Sequence, residues 1–388
     1  MAPWASPDGF PKAAEIASMK NPSRLFGGRW PTRTPPIPRR YVRWALQAIA
    51  LVLVAVGITH SGKKAADQLA FQQRELEQQA AELEARAEKA SASERELMQA
   101  RATELRQSAS TYWHASPGWL LAAGVAYALG MIPAGLFWRS CLLRLDQPAP
   151  FWLTLYAYTL GHLGKYFPGK AMVIILRLAV LAPLGVRKVA TTLTIFMETL
   201  TMMAVGSAAA ALCLLWLDIN WKWTWLAVGL MLLTFLPTLP PLLRQVLMRT
   251  QPNVEPALMK RWLKRIDWSL LGQGWLALAA TWLCYATSLA CVLRACPLAQ
   301  FHATDLWTLA ISSLGACAMA VVLGFVSFLP GGAGVREVVL STMLGPIVGP
   351  VAAIAAAVWL RIVWLAAEML AALALRLAAR IETRHRSP

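Results

Sequence analysis

An apolar stretch of this chain is interrupted by Phe328-Leu329-Pro330-Gly331-Gly332-Ala333-Gly334-Val335-Arg336-Glu337. Without the interruption, the stretch would form an ordinary membrane-spanning helix. In hydrocarbon every backbone N–H and C=O group needs a partner, so a break of this kind persists only inside protein or beside a water-filled cavity. The sequence therefore predicts a functional site at this break, within a membrane-embedded fold.

The composition excludes a soluble enzyme with a polar surface. Hydrophobic residues make up 57% of the chain and charged residues 15%, and the mean hydropathy is +0.49. The net charge of +17 comes from Lys and Arg in loops between apolar runs, which is typical of membrane orientation and not of nucleic-acid binding. We predict an all-α polytopic membrane protein with seven to eight transmembrane helices, broken or re-entrant segments and one long charged extramembrane helix.

The chain divides into five parts: 1–40, 41–60, 61–116, 117–376 and 377–388. The first is rich in Pro and Arg and predicts a disordered basic cytoplasmic tail. The second is a transmembrane anchor, since no small-residue cleavage pattern follows it. The fourth is the main membrane domain, and the last is a second basic tail. Both termini are therefore expected in the cytoplasm, and the insert 61–116 outside it.

Residues 64–112 contain no Pro or Gly and mix acids with bases. Apolar residues recur every seven positions, which favours a coiled-coil-like helix that pairs with something. The recurring leucines are Leu69, Leu76, Leu83 and Leu97. A continuous helix would extend on the order of 70 Å, and a hairpin turning at 91–93 would halve that. A homodimer, a partner helix and a solvated helix without partner all remain open.

Two segments are not expected to form straight, complete spans. The stretch from Val335 to Val348 has 14 residues, whereas a straight span needs about 20. A broken or tilted half-helix is expected there. The region 151–182 contains an earlier break and is expected to form re-entrant halves.

The second break carries the candidate binding residues. The backbone N–H groups of Gly331, Gly332 and Gly334, together with the start of the following helix, suit a phosphate. Arg336 adds a planar fork of donors, and Glu337 is expected to pair with Arg361 or with Arg336. The alternative is a tight turn between helices whose Arg and Glu extend toward the membrane surface.

The first break, Gly164-Lys165-Tyr166-Phe167-Pro168-Gly169-Lys170, also follows an apolar run. Lys165 and Lys170, with His162 one turn earlier, predict a basic funnel for an anionic headgroup, or simply cytoplasmic anchoring. Two Gly/Pro-interrupted segments in corresponding halves indicate a midplane transporter site.

Ionisable residues within apolar helices follow both breaks at similar distances. Glu198 lies thirty positions after Pro168, and Arg361 lies thirty-one after Pro330. Such residues are costly in a membrane and are functional candidates, so we expect both in one polar interior. The spacing indicates an internal duplication, with an inverted repeat left open. Glu368 shares the helix face of Arg361, and Arg177 is interpreted as extending toward the membrane surface.

The six cysteines show no paired spacing and are interpreted as small core residues. Cys291 and Cys296 are the one conceivable disulfide pair. No Walker-type phosphate loop occurs, and we expect no cofactor and no metal ion.

The chain resembles the lysylphosphatidylglycerol synthase transmembrane-region family, also called flippase-like domain proteins. The residues that carry the resemblance are, in chain order, Gly161-x-x-Gly164-Lys165-Tyr166-x-Pro168-Gly169-Lys170, then Glu198, then Leu329-Pro330-Gly331-Gly332-x-Gly334-Val335-Arg336-Glu337, and then Arg361. The resemblance covers about 118–376 and implies a bacterial inner-membrane domain that moves or handles an anionic phospholipid or polyprenyl-phosphate-linked lipid. Bifunctional members continue into a soluble aminoacyl-transferase domain, and this chain stops at Pro388, so aminoacylation is not expected. The insert 64–112 departs from the family.

Three functions remain open. The first is a non-enzymatic lipid translocase that binds an anionic headgroup among membrane lipids. The second is a membrane-embedded lipid or glycosyl transferase, for which the sequence offers no paired carboxylates in an external loop. The third is an accessory or scaffold subunit that acts through the 61–116 helix.

Overall fold

The protein is described by a computed structural model that covers residues 67–111 except Gln68, Leu69 and Gln72, and residues 115–166, 171–217, 221–250, 254–296 and 306–384. All regular structure in these residues is helical. The predicted tail 1–40 and anchor 41–60 lie outside the described residues, as does Lys170. The last helix runs to Arg384, so most of the predicted tail 377–388 continues a helix.

The described residues form thirteen α-helices. The charged insert contributes α1 (73–87) and α2 (Ala92–Thr111). The rest are α3 (Pro117–Arg144), α4 (Phe151–Leu163), α5 (Ala171–Leu181), α6 (Lys188–Trp216), α7 (Trp221–Phe235), α8 (Pro240–Thr250), α9 (Pro256–Arg265), α10 (Trp268–Ala295), α11 (Leu306–Val326), α12 (Val335–Val348) and α13 (Pro350–Arg384).

Five of these helices are long and apolar enough to cross a membrane: α3, α6, α10, α11 and α13. A sixth span results if α7 and α8, which meet at a bend of 53°, count as one. The Pro residues at 237, 240 and 241 explain this bend, because proline cannot continue a helix without losing a backbone hydrogen bond. The described residues thus give five or six spans, and the predicted span within 41–60 is outside them.

The two predicted short segments have the expected form. Helix α12 occupies Val335–Val348, the half-helix that its length indicated. Helices α4 and α5 have 13 and 11 residues and lie on either side of the first break. The described residues therefore contain two places where a helix ends at a break and the chain continues as a short helix.

The charged insert is a hairpin, which is the second of the two forms that its sequence left open, and not one long helix. The chain turns at 88–91, and Arg106 Nη2 lies 2.8 Å from Glu84 Oε2 across the two helices. Ala80, Ala87 and Ala102 are buried, whereas Leu97 remains 76% exposed. At the turn, Ser91 donates side-chain and backbone hydrogen bonds to the Glu94 carboxylate, which lowers the pKa of Glu94.

The core of the membrane domain forms where α3 packs along α10. A Cβ on Gly130 would lie 2.8 Å from Cβ of Cys284, so only glycine permits this approach. At one end of the fold, the Glu382 carboxylate accepts hydrogen bonds from the N–H groups of Phe151 and Trp152, at 3.1 and 3.0 Å. This contact caps α4 and fixes its start to the end of α13.

Candidate functional site

The second break is a short 3-10 turn, Pro330–Gly332, followed by α12. Gly331, Gly332 and Gly334 have φ angles of 59°, 67° and 85°. These values lie in the left-handed region that glycine adopts readily and other residues rarely do. The glycines are therefore needed for the shape of the turn.

The N–H groups of this turn are largely used inside the protein. Gly332 N donates to Leu329 O at 2.9 Å, and Gly334 N donates to Glu337 Oε2 at 2.8 Å. The predicted phosphate cradle of glycine N–H groups is therefore wrong for these two positions. Glu337 itself caps the helix that begins at Val335.

Glu337 also forms the predicted ion pair with Arg361. Glu337 Oε1 lies 2.7 Å from Arg361 Nη1, and each side chain is 10% exposed. Arg361 Nη2 is 3.4 Å from the carbonyl oxygen of Gly331, at the long end for a hydrogen bond. One carboxylate thus joins the start of α12 to the middle of α13.

Arg336 lies next to this pair without a carboxylate of its own. Within the described residues it forms no ion pair, and its buried Nε has no hydrogen-bond partner. Its side chain passes between two glycines, since a Cβ on Gly324 or on Gly332 would lie 2.9 Å from Nε. The two glycines therefore leave a slot that directs the guanidinium.

Arg336 lines a small, partly open cavity of about 30 Å³. Arg361 and Glu337 line it on the polar side. Aromatic and aliphatic side chains form the rest of the wall: Tyr166, Cys317, Ala320, Val321, Leu340, Ala357, Leu360 and Trp364. The cavity thus combines one unpaired cation with a mostly apolar lining.

The first break reaches the same place through Tyr166. A Cβ on Gly331 would lie 3.2 Å from Tyr166 Cδ1, so the two breaks are in contact. The preceding residue, Lys165, contacts the Glu368 carboxylate and lies 3.2 Å from the Tyr127 hydroxyl. The predicted polar stripe of Arg361 and Glu368 on α13 therefore exists, and each of its members pairs with a different break.

Aromatic rings surround the Lys165 ammonium. Its Nζ is 5.1 Å from the centroid of Tyr166, 5.7 Å from Tyr127 and 5.9 Å from Trp364. Ring faces attract cations at such distances. This environment, together with Glu368, explains how a lysine is kept in the interior, and it makes the alternative of simple cytoplasmic anchoring unnecessary.

Glu198 pairs with Arg177 and does not line the cavity. Arg177 Nη1 lies 2.8 Å from Glu198 Oε2, and the side chains are only 3% and 4% exposed. The interpretation of Arg177 as extending to the membrane surface is therefore wrong. Its guanidinium lies between the rings of Trp138 and Tyr158, 4.7 and 4.4 Å from their centroids.

After each break, a short helix and the long helix that follows it form one buried ion pair, and the signs of the two charges are exchanged between the breaks. After the first break, the short helix supplies Arg177 and the long helix supplies Glu198. After the second, the short helix supplies Glu337 and the long helix supplies Arg361. This arrangement supports the internal duplication that the spacing indicated, although the expected single interior for Glu198 and Arg361 is replaced by two separate pairs.

Sequence reasoning missed the role of Arg177 and the aromatic residues Tyr127 and Tyr158. Arg177 had a signal, because an arginine in the middle of an apolar helix needs a partner. The two tyrosines had none, since aromatic residues in membrane helices are usually packing. Their hydroxyls approach Glu368 and Glu198, respectively.

The family described as "Lysylphosphatidylglycerol synthase TM region" matches residues 97–372, well over half of the chain. The match covers both breaks, the three buried ion pairs and part of the charged hairpin. No curated protein sequence matches the chain closely enough to serve as a relative.

Proposed function

The chain belongs to the lysylphosphatidylglycerol synthase TM region family, and we propose that it binds the phosphate of an anionic membrane lipid at Arg336 and carries that lipid across the bilayer. It is a multi-pass membrane protein. The observation that supports the proposal is the unpaired guanidinium of Arg336 in a cavity whose other charges are matched.

Around the cavity, the described cationic side chains outnumber the carboxylates by one. Arg361 is matched by Glu337, and Lys165 by Glu368. Arg336 has no such partner among the described residues, and an uncompensated charge within a membrane is costly. A lipid phosphate would supply the missing charge, and a guanidinium can hold it with two parallel hydrogen bonds.

The apolar wall fits a ligand that is itself part apolar. Leu340, Val321 and Leu360 line the same cavity as Arg336. Both an anionic phospholipid and a polyprenyl-phosphate lipid combine a phosphate with long hydrocarbon. The shared chemistry is a phosphate attached to an apolar chain, and this is the class of substrate that we propose.

The ion pairing of the buried carboxylates favours lipid translocation over catalysis. Glu198, Glu337 and Glu368 are each engaged with a cation, and Glu198 and Glu368 do not line the cavity, so none is placed to act as a general base on a ligand there. A transferase therefore has less support here than a translocase. We propose a bacterial inner-membrane location with both termini in the cytoplasm, because basic residues outnumber acidic ones in both end segments, 1–40 and 376–388.

The test is lipid movement in vesicles that contain the purified protein and chain-labelled fluorescent phosphatidylglycerol or a polyprenyl phosphate. Arg336→Ala should abolish movement. Arg336→Lys should also impair it strongly, because an ammonium lacks the two-pronged geometry. Arg261→Ala is the matched control, since Arg261 is exposed and shares Asp146 with Arg265. Wild-type movement in Arg336→Ala would overturn the proposal.

The scaffold function is the second candidate, supported by the hairpin 73–111. Deleting 64–112 separates the two. If the protein is a translocase, the variant without the hairpin still moves lipid in vesicles. If it is a scaffold subunit, neither the wild type nor the variant moves lipid in vesicles, and the variant loses its function in cells.

A further inference from the structure

Glu368 differs from the other two buried carboxylates of the membrane domain. Glu337 uses both oxygens, one for Arg361 and one for the N–H of Gly334. Glu198 likewise binds Arg177 with Oε2 and the Tyr158 hydroxyl with Oε1. Glu368 directs one oxygen at its partners, and its Oε2 is buried without a hydrogen-bond partner in the described residues.

The partner of Glu368 is also the most exposed of the three paired cations. The Lys165 side chain is 20% exposed, whereas Glu368 is fully buried. Arg361 and Arg177 are 10% and 3% exposed. Lysine carries a compact charge on a flexible stem, and it makes no two-pronged contact. Lys165 can therefore leave its carboxylate more easily than either arginine.

The groups that face the Lys165–Glu368 pair come from six places in the fold. They are Tyr127 on α3, His162 on α4, Tyr166 in the first break, Tyr285 on α10, Arg336 on α12 and Arg361 on α13. Arg336 and Arg361 lie close enough to repel the Lys165 ammonium. A phosphate bound at Arg336 would cancel this repulsion, and its oxygens would offer the Lys165 ammonium a second anionic partner on the cavity side.

We propose that Glu368 takes up one proton when a lipid phosphate binds at Arg336, so that lipid and proton move together. The inference rests on the proposed function. The phosphate draws the Lys165 ammonium away from Glu368, and the carboxylate is left buried without a counter-charge. A buried charge without a partner is strongly unfavourable. A hydronium ion then gives its proton to Oε2 of Glu368, which becomes a neutral acid, and water is released.

Charge is conserved at each step of this exchange. One lipid anion enters together with one proton, so the exchange is electroneutral, and the bound phosphate is then shared between Arg336 and Lys165. When the lipid leaves, Lys165 returns to Glu368, and the acid releases its proton. Because linkage is reciprocal, a proton that favours lipid binding must itself be bound more tightly in the presence of the lipid. Lipid binding should therefore tighten as the pH falls.

The experiment measures proton uptake by detergent-solubilised full-length protein on addition of dioctanoyl phosphatidylglycerol, in weakly buffered solution with a pH indicator. The phosphate of this lipid stays ionised near pH 7, so it carries no proton to the site. We expect about one proton per bound lipid, and an affinity that increases by at most about tenfold per pH unit as the pH falls. Glu368→Gln should bind lipid without proton uptake, and Glu104→Gln, on the surface of α2, should behave as wild type.

Each outcome decides the matter. Lipid binding by the wild type without proton uptake overturns the inference and leaves the proposed function intact. No lipid binding by the wild type overturns the proposed function. Uptake that persists in Glu368→Gln but is lost in His162→Gln would place the proton on the histidine and overturn the assignment. The wild-type measurement remains decisive if Glu368→Gln does not fold.

Discussion

Glu337 and Arg361 join the second break to the last helix: Oε1 of Glu337 lies 2.7 Å from Nη1 of Arg361, while Oε2 accepts a hydrogen bond from the N–H of Gly334. One side chain thus fixes both the end of the glycine turn and its distance from α13. The neighbouring Arg336 is positioned by the same turn. The geometry of the cavity therefore depends on a residue that is not free to bind a ligand itself.

Glu337→Gln should destabilise the protein by about 3–5 kcal/mol, because it leaves the Arg361 charge buried without a counter-charge. The amide can still accept from the Gly334 N–H, so the loss isolates the ion pair. The measurement is the thermal unfolding of the purified variant in detergent. Glu104→Gln is the control, since its surface pair with Arg101 should contribute less than about 1 kcal/mol. Equal unfolding temperatures for the two variants would contradict the prediction.

The Arg177–Glu198 pair should show strong coupling. Arg177→Gln or Glu198→Gln alone leaves one buried charge and should cost about 3–5 kcal/mol. The double variant removes both charges and should recover a large part of the loss. A double-mutant cycle on unfolding temperature measures this coupling. Simple addition of the two losses would show that the pair does not act as a unit.

Gly324→Ala should weaken lipid binding by displacing the Arg336 side chain. The new Cβ would lie 2.9 Å from Cγ and Nε of Arg336, so the guanidinium must leave its slot. Alanine otherwise favours a helix over glycine by up to about 1 kcal/mol, which argues against a loss through α11 itself. Binding of dioctanoyl phosphatidylglycerol is the readout.

Gly229→Ala is the matched control for this substitution, because nothing lies within 4 Å of a Cβ there. It should bind lipid as the wild type does. Unchanged lipid affinity in Gly324→Ala would mean that the slot does not direct Arg336.

The breaks and half-helices were predictable because their signals are local. Proline and glycine interrupt a helix wherever they stand, and the length of 14 residues limited Val335–Val348 to half a span. The Glu337–Arg361 pair was also within reach, since Glu337 had only two candidate partners. The family resemblance rested on the same residues and is confirmed.

The pairing of the other charges was not predictable, because it depends on which helices lie side by side. The sequence indicates that Glu198 shares one polar interior with Arg361. In the structure Glu198 instead pairs with Arg177, whose Nη1 lies 2.8 Å from Glu198 Oε2 and whose guanidinium lies against two aromatic rings. Likewise the N–H groups of the glycine turn suited a phosphate by sequence. In the structure, a carboxylate three residues along the chain already occupies one of them.

The last prediction concerns the side of the membrane on which the hairpin lies. The basic residues before the predicted anchor 41–60 favour a cytoplasmic N-terminus, so we predict that the next segment lies outside. In a variant with the six native cysteines replaced, Gln78→Cys should react in intact cells with a membrane-impermeant maleimide, because Gln78 is exposed on α1. Lys260→Cys, on the basic helix α9, should react only after the cells are opened. Labelling of Lys260→Cys but not of Gln78→Cys in intact cells would invert the whole topology.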